Sequence, residues 1–295
     1  MQFVVQTSRS LFCIASAVLA VLSPNLSAQS RASGPEANEQ SADALVREVI
    51  HNELAAQLND KSLWCYRQED QEDGKPSRAL EVCQTKDGDL ERVVAVDGRE
   101  LDAAQMRAED ERLQTLVAYP EQLRAKQKKA REDGEQERSM LRLFPEAFHF
   151  ECERDSGNLV TLRFWPDPAF RPSTRAALVF HHMEGTLTVD IKQKRLVEIN
   201  GRLTSEVKFA AGLLGHLDKN GTFSVQQKEV GEGHWDLSSM NVHMSGKALF
   251  FKTITVLEKK IQVGYRPLPR DVTLQQAVEF LRSDFDVHTA SSSGK

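Results

Sequence analysis

Five of the histidines are the first residues in this chain whose chemistry could serve a metal site: His181, His182, His216, His234 and His243. Metal sites in β proteins favour His-x-His, which places two imidazoles on one strand face, or His and carboxylate sets at helical spacing. Neither pattern occurs. The adjacent pair would point to opposite faces of a strand, and although His216 or Asp218 could complete a set, nothing local supports one. We therefore expect no metal ligands and no cofactor here.

Motifs for nucleophilic catalysis and phosphate binding are also missing. The chain has no Gly-x-Ser-x-Gly elbow and no cysteine with a catalytic signature. Gly212–Gly215 is an apolar turn without the Lys-Ser/Thr pair of a phosphate loop. Carboxylates such as Asp218 and Glu229 occur in any acidic protein, and their spacing decides nothing. The sequence predicts no catalytic residue and favours a protein that is not an enzyme.

Three cysteines lie beyond the N-terminal segment: Cys65, Cys83 and Cys152. The segments Trp64–Glu69 and Arg78–Thr85 flank a loop with Gly, Lys and Pro, which is typical of a β-hairpin. A turn centred on Gly74 would place Cys65 opposite Cys83, so we predict a disulfide there, with two separate buried thiols as the alternative. Cys152 is then an odd thiol, expected to be buried on the face of Phe148 and Phe150.

The first 28 residues have the three parts of a cleaved secretory signal. Arg9 supplies a positive charge, Leu11–Leu22 is an apolar run of twelve residues, and Ser27-Ala28 offers a cleavage site before Gln29. The apolar run is too short for a bilayer span, which needs about 20 residues. We therefore expect residues 1–28 to be removed and the mature chain to be periplasmic or secreted, with cleavage after Ala32 as the alternative.

The charge of the mature chain limits its partners. Without Arg9 it carries 37 basic and 43 acidic residues, a net charge of −6. Nucleic acid is therefore excluded as a partner, because no basic face is available to neutralise phosphates. No other apolar run is long enough for a transmembrane span.

Helical signals flank and interrupt a β-rich chain. We predict a helix over about 42–58 with Ser41 as its cap, and a short amphipathic helix around Leu274–Leu281. A charged helical insertion is expected at about 101–145, with helices over Asp102–Val117 and from Pro120; its middle is either a solvated helix or a flexible arm. Residues 29–40 and 285–295 are predicted to be disordered, which leaves a single domain over 41–284.

From Phe148 to Ile261 the sequence indicates strands throughout. Phe148, Phe150 and Cys152 alternate with polar residues, and Asn200-Gly201 is the dipeptide most typical of a tight hairpin, predicted to join Arg195–Ile199 to Arg202–Phe209. Regularly spaced strands with tight turns favour a meander. The expected fold class is mainly β (α+β): a curled antiparallel sheet or half-barrel with covering helices.

Two segments have unusual composition. Phe209–Leu217 is an apolar, glycine-punctuated connection, which is either a buried connector or the mouth of an apolar cavity. Trp165–Pro172 contains three prolines and is either a stiff crossover or a platform for a partner. For an apolar ligand, the predicted lining or mouth comprises Phe209, Leu213, Leu214, Phe223, Phe250 and Phe251.

The segment Gly185–Gly201 (GTLTVDIKQKRLVEING) is similar to a strand-turn-strand phrase of the LolA/LolB-type lipoprotein carriers of the Gram-negative periplasm. An export signal, an early amphipathic helix and a long antiparallel meander add to this resemblance, which covers Gly185–Leu257. It implies a half-barrel whose apolar hollow shields an acyl chain, with a lipid or lipoprotein as partner. We expect a non-catalytic binding protein for an apolar ligand; the alternatives are a cell-envelope scaffold that binds a protein and, less favoured, a histidine-dependent metallohydrolase.

Overall fold

The computed structural model of the chain describes residues 37–209, 215–231, 233–248 and 252–292. Within these ranges the helices are α1 (Ala37–Asn59), α2 (Ala103–Ala118), α3 (Glu121–Ala147) and α4 (Leu274–Ser292), with a 3-10 helix over Ala176–His182. The strands are β1 (Leu63–Glu72), β2 (Arg78–Cys83), β3 (Leu90–Val96), β4 (Arg99–Glu100), β5 (Phe148–Ser156), β6 (Leu159–Pro166), β7 (Met183–Asp190), β8 (Arg195–Leu203), β9 (Val207–Phe209), β10 (Gly215–Leu217), β11 (Thr222–Gly231), β12 (His234–Ala248) and β13 (Lys252–Leu268).

The described strands form one antiparallel sheet that does not close on itself. Their order is β4-β3-β2-β1-β13-β12-β11-β8-β7-β6-β5, with β10 paired to β12 and β9 to β10. The first strand of the chain therefore lies beside the last, and two meanders meet at the β1–β13 pair. This arrangement confirms the predicted curled antiparallel sheet with covering helices.

The largest core cluster lies where α1 and the C-terminal part of α3 pack on the β5–β8 half of the sheet. Alternate residues of these strands face the helices, as the period of a half-buried strand requires. Five phenylalanine rings meet there, with centroid separations of 4.8–6.3 Å around Phe144: Phe144, Phe148, Phe150, Phe164 and Phe180. Burial of each ring contributes roughly 1.5–3 kcal/mol, so this layer of side chains holds α3 to the sheet.

A second cluster lies against the hairpin of β1 and β2, on the face that carries the cysteines. It contains Leu113 of α2, Leu123 at the start of α3, and Val278 and Leu281 of α4. The long helix α3 thus contributes to both clusters, with Leu123 near one end and Phe144 near the other. Its exposed middle is helical, so the solvated-helix alternative is correct and the flexible-arm alternative is not.

The predicted hairpin and disulfide are confirmed. Cys65 pairs directly with Cys83 across β1 and β2, and the two sulfurs are bonded. The prediction that Cys152 is buried is wrong, since this thiol is exposed. β5 is the edge strand of the sheet, and its residues from Glu151 to Ser156 are all exposed.

Two helix boundaries differ from the sequence prediction. α1 starts at Ala37, so Ser41 is not its cap and the last four residues of the predicted lead-in are helical. α4 continues to Ser292, into the predicted tail. At the start of α1 the residues Ala, Asn, Glu and Gln are compatible with a helix, and at neither helix end does a proline interrupt the chain. In the insertion, the predicted helix over Asp102–Val117 is observed as Ala103–Ala118, and Asp102 caps it by accepting from the backbone N–H groups of Ala104 and Gln105.

The predicted hairpin at Asn200-Gly201 is wrong, because both residues lie inside the continuous strand β8. Gly201 allows the side chain of Phe223 to pack closely against the backbone of β8 and does not form a turn. A Cβ atom on Gly201 would lie 2.3 Å from the ring of Phe223 on β11. Glycine in a strand interior marks such a close approach, whereas the second pair, Asn220-Gly221, does lie in a turn, with Asn220 at φ 71°.

We predict that the cross-strand disulfide contributes strongly to stability. The bridge closes a chain separation of 18 residues, and loss of a bridge over a loop of this size costs about 3 kcal/mol. The double variant Cys65→Ser/Cys83→Ser should lower the free energy of unfolding by about that amount, measured by urea denaturation. Cys152→Ser, at an exposed position, is the control and should leave stability unchanged; equal losses in both variants would contradict the prediction.

A buried charged cluster spans the β1–β13 pair. The side chain of Lys260 is 3% exposed, and its Nζ lies 3.3 Å from Glu258 Oε1 and 3.9 Å from Asp70 Oδ1. Burial raises the pKa of both carboxyl groups, although the Lys260 ammonium acts in the opposite direction. Two carboxyl groups share one buried cation, so ionisation of both costs stability.

We predict that Glu258→Gln stabilises the protein at neutral pH. The pKa of Glu258 is raised above its ordinary 4.5, so the stability cost of its charge appears as pH rises through that value. Urea denaturation should show equal stability of variant and wild type at acidic pH, where Glu258 is protonated, and a more stable variant at pH 7. The exposed Glu153→Gln serves as control. A Glu258→Gln variant that is less stable at pH 7 than at acidic pH, relative to wild type, would refute the prediction.

Candidate functional site

A cleft with a volume of about 680 Å³ opens at the end of the sheet where β1, β12 and β13 meet the C-terminus of α1. Helix α1 lines it with Glu53, Ala56, Gln57 and, just beyond the helix, Asp60. The sheet contributes aromatic side chains and further charged groups: Trp64, Arg195, His234, Trp235, Asp236 and Tyr265. Polar and aromatic residues from distant parts of the chain thus converge on one concave surface.

His234, the first residue of β12, is the central polar group of the cleft. Its side chain is 8% exposed, and its ring stacks on the indole of Trp64 with centroids 4.8 Å apart. Nδ1 is hydrogen-bonded to Asp60 Oδ2, while Nε2 lies 3.5 Å from Asp236 Oδ2. Within the described residues Nε2 has no hydrogen-bond partner. The imidazole is therefore held in place by stacking and by one carboxylate, with its second nitrogen buried beside Asp236.

Asp60 is organised by the turn between α1 and β1. Its Oδ1 accepts hydrogen bonds from the backbone N–H of Ser62 at 2.8 Å and from Ser62 Oγ at 2.6 Å. Burial opposes ionisation of Asp60, but the bonds from Ser62 and His234 outweigh it and lower its pKa from 3.8 to about 2. Asp60 is thus a carboxylate at neutral pH, and because a carboxylate only accepts hydrogen bonds, His234 Nδ1 carries the proton.

The geometry of Ser62 differs from that of a catalytic triad. In a triad the serine and the carboxylate bind opposite nitrogens of the histidine. Here Asp60 Oδ2 is bonded to His234 Nδ1, and Ser62 Oγ lies 3.4 Å from that same nitrogen. Ser62 Oγ donates to Asp60 and accepts from Trp64 Nε1 at 2.8 Å. Ser62 is a structural hydroxyl that joins the turn to the indole.

A β-bulge in β13 brings Tyr265 to the cleft. The pairing of β1 with β13 shifts between Cys65 and Arg67, opposite Gly264, which has φ 68° and so adopts a conformation that favours glycine. The Tyr265 hydroxyl donates to the carbonyl of Leu237 at 2.7 Å. Burial, and next the carboxylate of Asp236, raises the pKa of this hydroxyl well above its ordinary value. Tyr265 is therefore a neutral hydroxyl whose one proton can be donated to Leu237 or to Gln262 Oε1, which also lies at 2.7 Å.

The back wall of the cleft is a buried ion pair between α1 and the sheet. Glu53 is 1% exposed and accepts two hydrogen bonds from Arg195, at 2.8 and 3.0 Å. It also accepts from the backbone N–H of Leu196 at 2.9 Å and from Gln227 Nε2 at 3.0 Å. Arg195 in turn lies over the ring of Trp235, 5.5 Å from its centroid. Each of these groups has its hydrogen-bond partners within the wall, so we assign the wall a structural role in shaping the cleft.

Among the residues predicted to line an apolar hollow, Phe223 is described with its side chain and is not part of this cleft. Phe223 is 4% exposed and belongs to the largest core cluster. Phe209 ends β9, and Leu213, Leu214, Phe250 and Phe251 lie outside the described residues. Their role in ligand binding stays a prediction.

The other histidines are placed elsewhere. His181 and His182 lie in the 3-10 helix and not on a strand, so the expectation that they point to opposite strand faces is wrong. Burial and the neighbouring His181 lower the pKa of His182. His216 lies between Asp218, at 3.2 Å, and Glu206, at 3.5 Å. In the part of the chain that the structure describes, no group of three or more His, Cys, Asp or Glu side chains is arranged to hold a metal ion.

Sequence reasoning missed the residues that meet in the cleft. A weak signal was present: Asp60, Ser62 and Trp64 recur at every second position, as do His234 and Asp236. Residues at every second position of a strand lie on the same face of the sheet. Such a pattern at the starts of two strands is consistent with one shared surface. Only the pairing of distant strands shows that the two sets are neighbours.

Comparison of the chain with protein-family models, curated proteins and solved structures gave no match. Among the described residues, no helix is long and apolar enough to cross a membrane.

We predict that Asp60→Asn destabilises the protein in a pH-dependent way. The low pKa of Asp60 means that its contribution is present above 3.8 and is lost as pH falls toward about 2. Loss of its charged hydrogen bonds should lower the free energy of unfolding at pH 7 by ~1–3 kcal/mol. The difference from wild type should shrink between pH 4 and pH 2 in urea denaturation. Asp73→Asn, at an exposed position, is the control; a difference that is constant across this range would argue against the assignment.

Proposed function

We propose that this chain is an exported, non-catalytic binding protein that holds one small amphipathic molecule in the cleft around His234. The molecule has an apolar body, such as an acyl chain, and a polar headgroup. The observation that carries the proposal is the cleft itself, a concave site of about 680 Å³ lined by aromatic side chains and by the polar residues His234 and Asp236.

The size and composition of the cleft match those of small-molecule sites. Such sites have volumes of about 300–1,000 Å³ and combine apolar and aromatic walls with a few convergent polar groups. Val225, Val230 and Pro267 add apolar surface beside the aromatic side chains. His234 and Asp236 are the convergent polar groups, both buried at the side of the cleft.

Binding is favoured over catalysis by the way the polar groups are paired. The Ser62 hydroxyl donates to the Asp60 carboxylate, whose low pKa makes it a weak base, so this contact does little to activate the hydroxyl as a nucleophile. The carboxylate of Glu53 is fully engaged with Arg195, Leu196 and Gln227. These contacts hold the polar groups of the cleft in fixed positions, as a preorganised binding site requires.

The packing of the largest core cluster supports the cleft as the ligand site. Beneath α1 and α3 the phenylalanine rings fill the space between helices and sheet, so an acyl chain would have to displace them. The cleft, in contrast, is open. Export is supported by the predicted N-terminal signal and by the disulfide, since disulfides persist in oxidising compartments.

The proposal predicts that the mature chain, purified without detergent, retains a stoichiometric amphipathic molecule that organic extraction and mass spectrometry detect. Ala56→Trp should fill the cleft and abolish retention, because Ala56 lines it. Ala55→Trp is the matched control, since the adjacent residue points in another direction on α1. Circular dichroism would establish that both variants are folded. Extracts without such a molecule, or retention that Ala56→Trp does not reduce, would count against the proposal.

A further inference from the structure

We infer that Asn220 is a site of spontaneous deamidation, where the side-chain amide of the folded protein becomes a carboxylate without an enzyme. The sequence contains two Asn-Gly dipeptides, Asn200-Gly201 and Asn220-Gly221. Glycine has no Cβ to shield its backbone nitrogen or to restrict its conformation, so an asparagine that precedes glycine is especially reactive. The structure distinguishes between the two dipeptides, and neither belongs to the lining of the cleft.

The reaction uses the backbone nitrogen of Gly221, the side-chain amide of Asn220 and water. The nitrogen loses its proton and attacks Cγ of Asn220, a C–N bond forms, and the side-chain nitrogen leaves as ammonia. Water then opens the resulting cyclic imide at one of its two carbonyl carbons. Opening at the main-chain carbonyl gives isoaspartate, and opening at the former side-chain carbonyl gives aspartate. The sequence of steps consumes water and needs no oxidant or reductant.

The turn between β10 and β11 leaves this reaction open. Asn220 is exposed and has φ 71°, outside the strands. Asn220 N–H donates to the carbonyl of Leu203 at 2.9 Å, and Leu203 N–H donates to the carbonyl of Gly221 at 2.7 Å. Leu203 and Met244 cover Gly221 on the side where a Cβ would lie. No backbone hydrogen bond from the Gly221 N–H is found among the described residues, so no strand pairing holds the attacking nitrogen.

The same dipeptide in β8 is protected by the sheet. Asn200 and Gly201 lie inside the strand, with Gly201 opposite Gly185 of β7 and Phe223 of β11. Because a strand lies on each side, the Gly201 N–H faces a hydrogen-bonding partner whichever way it points. Formation of the imide would require β8 to open first, and the opening of a core strand costs up to the free energy of global unfolding.

Deamidation at Asn220 should loosen the turn in which it occurs. In isoaspartate the main chain runs through the former side chain, which adds one methylene between the Asn220 N–H and the Gly221 carbonyl. Leu203 is hydrogen-bonded to both groups, so we expect the lengthened turn to keep at most one of the two bonds. Both products also add a negative charge close in sequence to Asp218, which lies 3.2 Å from His216.

Peptide mapping by mass spectrometry tests the inference on the purified mature chain, incubated in mildly alkaline buffer with and without urea. Trypsin places the two asparagines on separate peptides, 196–202 and 220–228. In the folded protein we expect Asn220 to convert at least about tenfold faster than Asn200, the factor given by an opening free energy of about 1.4 kcal/mol for β8. In urea, where no strand protects Asn200, the two rates should converge.

Asn220→Gly is the matched variant, because glycine adopts the φ of 71° without strain and has no side-chain amide. It should abolish conversion in the turn and leave the rate at Asn200 unchanged. Hydrogen exchange followed by NMR measures the structural consequence. The amide of Leu203 should exchange faster in aged wild type than in fresh wild type, and ageing should not change it in Asn220→Gly.

The comparison of the two asparagines decides the inference. Conversion of Asn200 as fast as that of Asn220 in the folded protein, or conversion of Asn220 only in urea, would overturn it. Unchanged exchange at Leu203 after conversion would refute the loosening of the turn. None of these measurements depends on what the cleft binds.

Discussion

The pairing of β1 with β13 is the constraint on which the rest of this molecule depends. It joins the N-terminal meander of β1–β4 to the remaining strands, and its partners are far apart in the sequence, with Leu63 opposite Leu268. Such a long-range pairing closes a very large loop, which has a high cost in chain entropy. The pairing therefore forms only together with the packing that stabilises it. The cleft lies at the end of this pair, which means that its geometry exists only when both meanders are joined.

Helices on two faces of the sheet stabilise this junction. α1 and the end of α3 cover one half of the sheet, while α2, α4 and the start of α3 pack against the face of the disulfide. Because α3 contributes to both clusters, it fixes the two halves relative to each other. Glu53 adds a polar contact between α1 and the sheet and thereby helps to hold the helix beside the cleft.

Local patterns predicted much of the architecture. Symmetry about Gly74 identified the hairpin and its disulfide. The alternation of Phe148 and Phe150 with polar residues identified a strand. Predictions failed where tertiary packing overrode a local preference. The Asn200-Gly201 pair has the composition of a turn, but it lies inside a strand, where the ring of Phe223 packs closely against Gly201. Cys152 has the spacing of a core residue but is exposed at the sheet edge.

The sequence by itself determined the fold class, the helical insertion and the disulfide, because each follows from periodicity, turn residues or symmetry within a short stretch of chain. Only the tertiary structure decided the site. His234 is separated from Asp60 by 174 residues, and no local pattern specifies that the starts of β1 and β12 converge. Sheet order and a bulge at Gly264 create that neighbourhood, and they arise from packing summed over the whole chain.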